Sequence, residues 1–122
     1  MTLKLEAVDF KPLTRTLEDS DVTVTVRRAT LGDESKRMAA LFAEGDTALI
    51  TDIATAEIWI TLVECDIVGP DDEPLLVPGM AYETFAANLT AVWQYSAELF
   101  WAIHGVVREA NPQWNPVEEG NG

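Results

Sequence analysis

Between Met80 and Trp114 the apolar positions recur at steps of four and three: Phe85, Leu89, Val92, Ser96, Leu99, Ile103 and Val106, with Trp93, Phe100 and Val107 widening the stripe. That rhythm predicts a well-buried amphipathic helix, the element that forms the core. Asn111 followed by Pro112 predicts its end, because a residue tolerant of left-handed backbone precedes one that cannot continue a helix. Asn88 and Thr90 could recap the chain midway, so the run reads as one helix or as two, Tyr82–Leu89 and Thr90–Glu109. The N-terminal part has a different period. Leu3, Leu5 and Ala7 alternate with polar residues and predict an edge strand, followed by a loop over Pro12 and LTRTLEDSD. In Asp21–Arg28, Val22, Val24 and Val26 alternate with Thr23, Thr25 and Arg27, which predicts a strand with one buried and one wet face.

The middle of the chain returns to helical spacing. Thr30 or Asp33 caps a helix running to about Ala43, with Leu31, Met38, Leu41 and Phe42 on its apolar side, Lys36 and Arg37 exposed, and Gly45 as its stop. Asp46 then caps a second helix to about Cys65, carrying Leu49, Ile53, Ala56, Ile60, Val63 and Ile67 on one side and Ile58, Leu62 and Cys65 on the other. Being apolar on two sides, it is expected to be buried from two directions or shared with another subunit. Glu57–Val68 is rich in β-branched residues and also reads as a strand: length favours the helix and local propensity the strand. Gly69–Pro78 carries turn chemistry and predicts a small ribbon joining Ile67–Val68 to Leu75–Leu76. Together these elements predict an α+β, mainly α-helical fold, a small N-terminal antiparallel β element packed on a bundle of three to four helices. Residues 1–116 are expected to form a single globular domain and residues 117–122 a mobile tail.

Charge adds asymmetry to this picture. The formal charge is −13, and residues 1–44 hold seven of the eight Lys and Arg against eight acids, whereas residues 45–122 hold only Arg108 against thirteen acids. Such an anion argues against direct nucleic-acid binding and leaves open a basic protein partner, mimicry of nucleic-acid charge, or a surface kept soluble by repulsion. No run of eighteen uncharged apolar residues and no basic-then-apolar leader are present, so neither a membrane nor a secretory destination is expected.

Catalytic patterns are missing as well. No glycine-rich phosphate loop, paired His or Cys metal spacing, or nucleophile elbow occurs, and no cofactor or metal is expected. Asp71–Glu73 reads as a solvated turn before a cation site. Cys65, the single cysteine, reads as a small buried hydrophobe before a nucleophile, and His104 as packed or solvent-facing before a base. Glu57 and Glu64 fall near an apolar stripe, where acids either reach a rim, accept an Arg or helix-terminus contact, or serve an interaction. Trp59 and Trp101 lie off their helices' main stripes and, with Trp114, Glu57 and Glu64, are the partner-binding candidates; Trp93 lies on the core stripe.

A family resemblance sharpens the reading. The N-terminal β segment, the helix opening with RRATLGDESKRMAALF, the motif LVECDIVGPDDEPLL and the closing helix with VVREANPQWNP together resemble tail-assembly chaperones of long-tailed bacteriophages, over about Val22 to Pro116. The resemblance implies a non-enzymatic protein of the bacterial host cytoplasm that binds the tape-measure protein, recruits tail-tube subunits, and is absent from the mature virion. It also implies a longer frameshifted product, for which Glu119–Gly120–Asn121 can be encoded with a slippery GGGAAAC. An apolar helix face with Trp59 and Trp101 could serve self-association or client binding. Two other readings stand beside it. One is an acidic DNA-mimic inhibitor of a nucleic-acid-binding enzyme, which requires carboxylates in rows at roughly 7 Å; the other is a tail-completion or head–tail joining protein.

Overall fold

The computed structural model describes residues 2–4, 11–44 and 49–114. Leu5, Ala7, Gly45, Asp46 and the tail 117–122, all of which carry expectations above, lie outside these residues. Among the described residues the order is β1 (Leu13–Thr16), β2 (Thr23–Val26), α1 (Leu31–Glu44), α2 (Ile50–Thr61), β3 (Leu62–Cys65), α3 (Tyr82–Tyr95) and α4 (Ala97–Ala110), closed by a 3₁₀ turn over Pro112–Trp114. The fold is α+β and mainly helical, with a three-stranded antiparallel sheet ordered β1-β2-β3. No described helix is long and apolar enough to cross a membrane.

Strand β2 follows its alternation: Val24 and Val26 are fully buried, while Thr23 and Thr25 meet Thr16 and Thr14 across the hairpin through paired hydroxyls at 3.1 and 2.8 Å. The partner strand differs from expectation. It is Leu13–Thr16, inside the segment read as a loop, while residues 2–4 have no strand structure. Threonine and arginine side chains suit an exposed edge strand as well as a loop, and the hydroxyl pairs decide for the strand.

The stretch 57–68 is both a helix and a strand. Helix α2 stops at Thr61 and the chain continues directly into β3, which pairs with β2. What stops the helix is Arg27, just past β2: its backbone N–H donates to the Thr61 carbonyl at 3.0 Å and its guanidinium to the Ile60 carbonyl at 2.8 Å. Two carbonyls left unpaired at the helix end are thereby satisfied from another element, a signal that no local propensity contains. The same guanidinium forms a two-pronged pair with Asp33, and Thr30 and Asp33 exchange hydrogen bonds as a capping box at the start of α1. Beyond β3, Leu75 N–H donates to the Ile67 carbonyl and Val68 bridges Pro74, so the ribbon is present, displaced by one residue from its expected pairing.

The C-terminal run is two helices, broken at Ser96 rather than at Asn88 or Thr90. Ser96 closes α3 by donating its N–H to Val92 and opens α4 by accepting from the Leu99 N–H through its hydroxyl, at 3.2 Å. Its place on the apolar stripe concealed a cap. Ser96→Ala is expected to cost about 1 kcal/mol in chemical denaturation, and Ser96→Asp to retain the stability. At the other end Asn111 is not left-handed (φ −128°) but fully buried, its Oδ1 accepting from the Ala29 N–H and its Nδ2 donating to the carbonyls of Arg27 and Val107.

One hydrophobic core joins sheet and helices. It is built from Val24 and Val26, Ala54, Ile58 and Ile60 of α2, Leu62 and Cys65 of β3, Leu76, Phe85, Leu89 and Val92 of α3, Phe100, Ile103, Val106 and Val107 of α4, and Trp114. Helix α2 packs against α1, α3 and α4, which accounts for its two apolar sides. Among the described residues, helix α1 supplies none to this core.

Candidate functional site

Helix α1 is attached through its polar side. Arg37, expected at the surface, turns inward and donates from Nε to Oε2 of Glu57 at 2.7 Å. Glu57, on α2, is completely buried, and its Oε1 also meets Nε2 of His104 at 2.7 Å and Nε of Arg108 at 2.9 Å, both from α4. Arg37 reaches on to Glu34 at 3.1 Å, and Glu34 in turn accepts from the Trp114 indole N–H at 2.6 Å. The Arg37 guanidinium lies over the Trp114 ring, 5.3 Å from its centroid. With two acids and two arginines, the formal charges of this chain of contacts cancel, and it ties α1, α2, α4 and the 3₁₀ turn together.

Burial alone would push the Glu57 carboxyl up, but hydrogen bonds from His104 and Arg37 and the charges of Arg108 and Arg37 outweigh it and hold the group below the ordinary carboxylate range. At Asp33 the hydrogen bond from Arg27 is the largest influence; helped by the Thr30 N–H and opposed by burial, it lowers the carboxyl to about 2. Both groups bind protons less readily folded than unfolded, so their stabilisation is full above the ordinary carboxylate range and is lost as pH falls towards their folded values. Thermal melts are expected to show the midpoint falling below about pH 4.5, and Asp33→Asn to remove the part of that loss lying between about 3.8 and 2.

The five partner-binding candidates fall in different places. Glu57 and Trp114 are inside, each held by the contacts above; for Glu57 this is the Arg contact that the sequence left open beside an interaction role. Glu64 is exposed on β3 and shares no face with Glu57. Trp59 is half-buried, its indole N–H donating to the Met80 carbonyl at 2.8 Å, with Tyr82 edge-on and the Lys36 ammonium over its ring. Trp101 remains 37% exposed and forms an aromatic cluster with Phe100, His104 and Trp93. Trp93, expected in the core, is equally open: α3 buries Phe85, Leu89 and Val92, and Trp93, one step past Val92, stands at the edge of that stripe.

The larger outward feature was missed. Leu31 is 86% and Phe42 74% exposed, and with the partly open Met38 they turn most of the apolar side of α1 outward, while Leu41 is half-buried; Leu49 and Ile50 at the start of α2 are exposed too. The apolar spacing of α1 was legible, but not that its polar side would be the one facing in.

Cys65 is buried, and burial pushes its thiol away from the reactive thiolate, while His104 is engaged by Glu57. Among the described residues no group of His, Cys, Asp and Glu could hold a metal ion. Comparison with protein-family models, curated proteins and solved structures returns no match to this chain.

Proposed function

We propose that this protein is a bacteriophage tail-assembly chaperone, a non-enzymatic protein of the host cytoplasm that covers the tape-measure protein, assists tail-tube assembly and leaves before the virion is complete. The observation that carries the reading is the outward apolar side of α1. A helix docked by charge, with Leu31, Met38 and Phe42 in water, keeps an apolar surface available without taking it from the core, as a protein that transiently covers a long apolar client requires. The net charge of −13 supports the same reading, since unfilled copies repel one another before they aggregate. The client named here, the tape-measure protein, is the one that the sequence's resemblance to the chaperone family implies.

The test is co-expression with the large helical protein encoded immediately downstream, followed by pull-down and sizing of the soluble fraction. The client is expected to be soluble only in the complex. A downstream protein that is soluble alone, or ignores this chain, ends the assignment. The paired change Leu31→Ser with Phe42→Ser is expected to alter stability by less than about 0.5 kcal/mol per site, because neither residue touches the core, yet to reduce the recovered complex.

A further inference from the structure

A second surface has a more specific chemistry. Between the β1–β2 turn, the ribbon after β3 and the α3–α4 junction lies a groove of about 1240 Å³. Its apolar lining includes Leu17 from the turn, Val68 and Leu75 from the ribbon, and Tyr95 and Leu99 from the helices. Tyr95 is 84% exposed and Val68 half-exposed, so apolar contact area is left open here. Among the described residues the carboxylates in the lining are Glu18, Asp19 and Glu98, and no lysine or arginine lines the groove. All of its formal charge is negative at neutral pH.

The walls also decide how an occupant is held. In the turn, the Leu17 N–H donates to the Val22 carbonyl and the Asp21 N–H to the Leu17 carbonyl. In the ribbon, Leu75 N–H donates to Ile67 and Gly69 N–H to Glu73. These backbone groups are already paired within their own walls, which disfavours recognition by strand addition and leaves side-chain packing. The volume exceeds the roughly 300–1,000 Å³ usual for a small-molecule pocket and suits a polypeptide segment.

The geometry points to a binding groove for a cationic amphipathic helix of a partner protein, its apolar stripe laid on Val68, Tyr95 and Leu99 and its lysines or arginines set against Glu18, Asp19 and Glu98. This deepens the chaperone reading by naming the chemistry of the client segment, and takes from that reading only that the partner is a protein. Apolar burial supplies the affinity, and the acidic rim supplies orientation, on-rate and rejection of acidic segments.

The probe is a fluorescein-labelled leucine–lysine peptide with leucines at helical spacing, titrated against the full chain by anisotropy, beside a scrambled peptide of the same composition. Asp19→Lys with Glu98→Lys is expected to weaken binding by about tenfold more than the control pair Glu64→Lys with Glu83→Lys, which changes net charge equally at exposed sites outside the groove. Val68→Ser is expected to weaken the helical peptide and leave the scrambled one unchanged, and circular dichroism melts confirm that each variant is folded. Equal weakening by both charge pairs, or equal binding of both peptides, would reduce the groove to nonspecific attraction and overturn the proposal. The client experiment fails separately: if the tape-measure protein ignores the chain while the peptide maps to the groove, only the client's identity falls. If the groove pair solubilises that protein as well as the unaltered chain does, the groove is not the contact.

Discussion

Glu57→Gln is expected to cost about 3–5 kcal/mol, a large fraction of the 5–15 kcal/mol that usually separates a folded domain from its unfolded chain. The carboxylate has no exposure and answers two guanidiniums and an imidazole, so the amide that replaces it leaves Arg108 without a counter-charge and Arg37 with Glu34 alone. Among the described residues Nη1 of Arg108 is buried with no hydrogen-bond partner, so this guanidinium depends on Glu57 through Nε and Nη2. Urea unfolding monitored by tryptophan fluorescence measures the effect, with Glu64→Gln on the exposed side of β3 as the control expected near zero. A loss below about 1 kcal/mol for Glu57→Gln would mean that the arginines find water when their partner is removed, and α1 would have to be held by something other than charge. Replacing Glu57, Arg37 and Arg108 together by apolar residues of similar volume should recover much of the loss, since an ion cluster is far costlier to break than to omit.

Ile103→Ala carries the second large effect, about 2–5 kcal/mol by the same measurement. Ile103 lies fully buried midway along α4, where a cavity can collapse only if the sheet and α3 move with it. Leu99, one turn earlier, borders the groove and is only partly buried, so Leu99→Ala should cost clearly less. Equal losses at the two positions would place the groove side of α4 in the core.

These two residues also show what the sequence contained. Ile103 belongs to a rhythm repeated within one segment, and the buried faces of α3 and α4 could be read from it. Glu57 belongs to a cluster whose members stand at 34, 37, 57, 104, 108 and 114. No periodicity links them, and Arg37 by itself looks like any solvent-facing cation on a helix. Amphipathic spacing locates the apolar side of a helix but assumes that this side is the docked one, which fails for α1 because the ion cluster anchors its opposite side. The break within 57–68 was legible as a conflict between helix length and strand propensity. Its resolution depended on Arg27, thirty-three positions from the carbonyl it binds. Ser96 fitted two patterns, stripe and cap, and the backbone chose the cap.

Asn111 joins the strand exit at Arg27 and Ala29 to the last turn of α4 across 84 and 82 positions of chain. Those bonds can form only after a loop of that length has closed, so they belong to the late part of folding, when most of the entropy of closure has already been lost. Their contribution is therefore expected mainly in how slowly the folded chain opens, and little in how fast it assembles. Such a latch protects the folded scaffold without slowing its first appearance after synthesis.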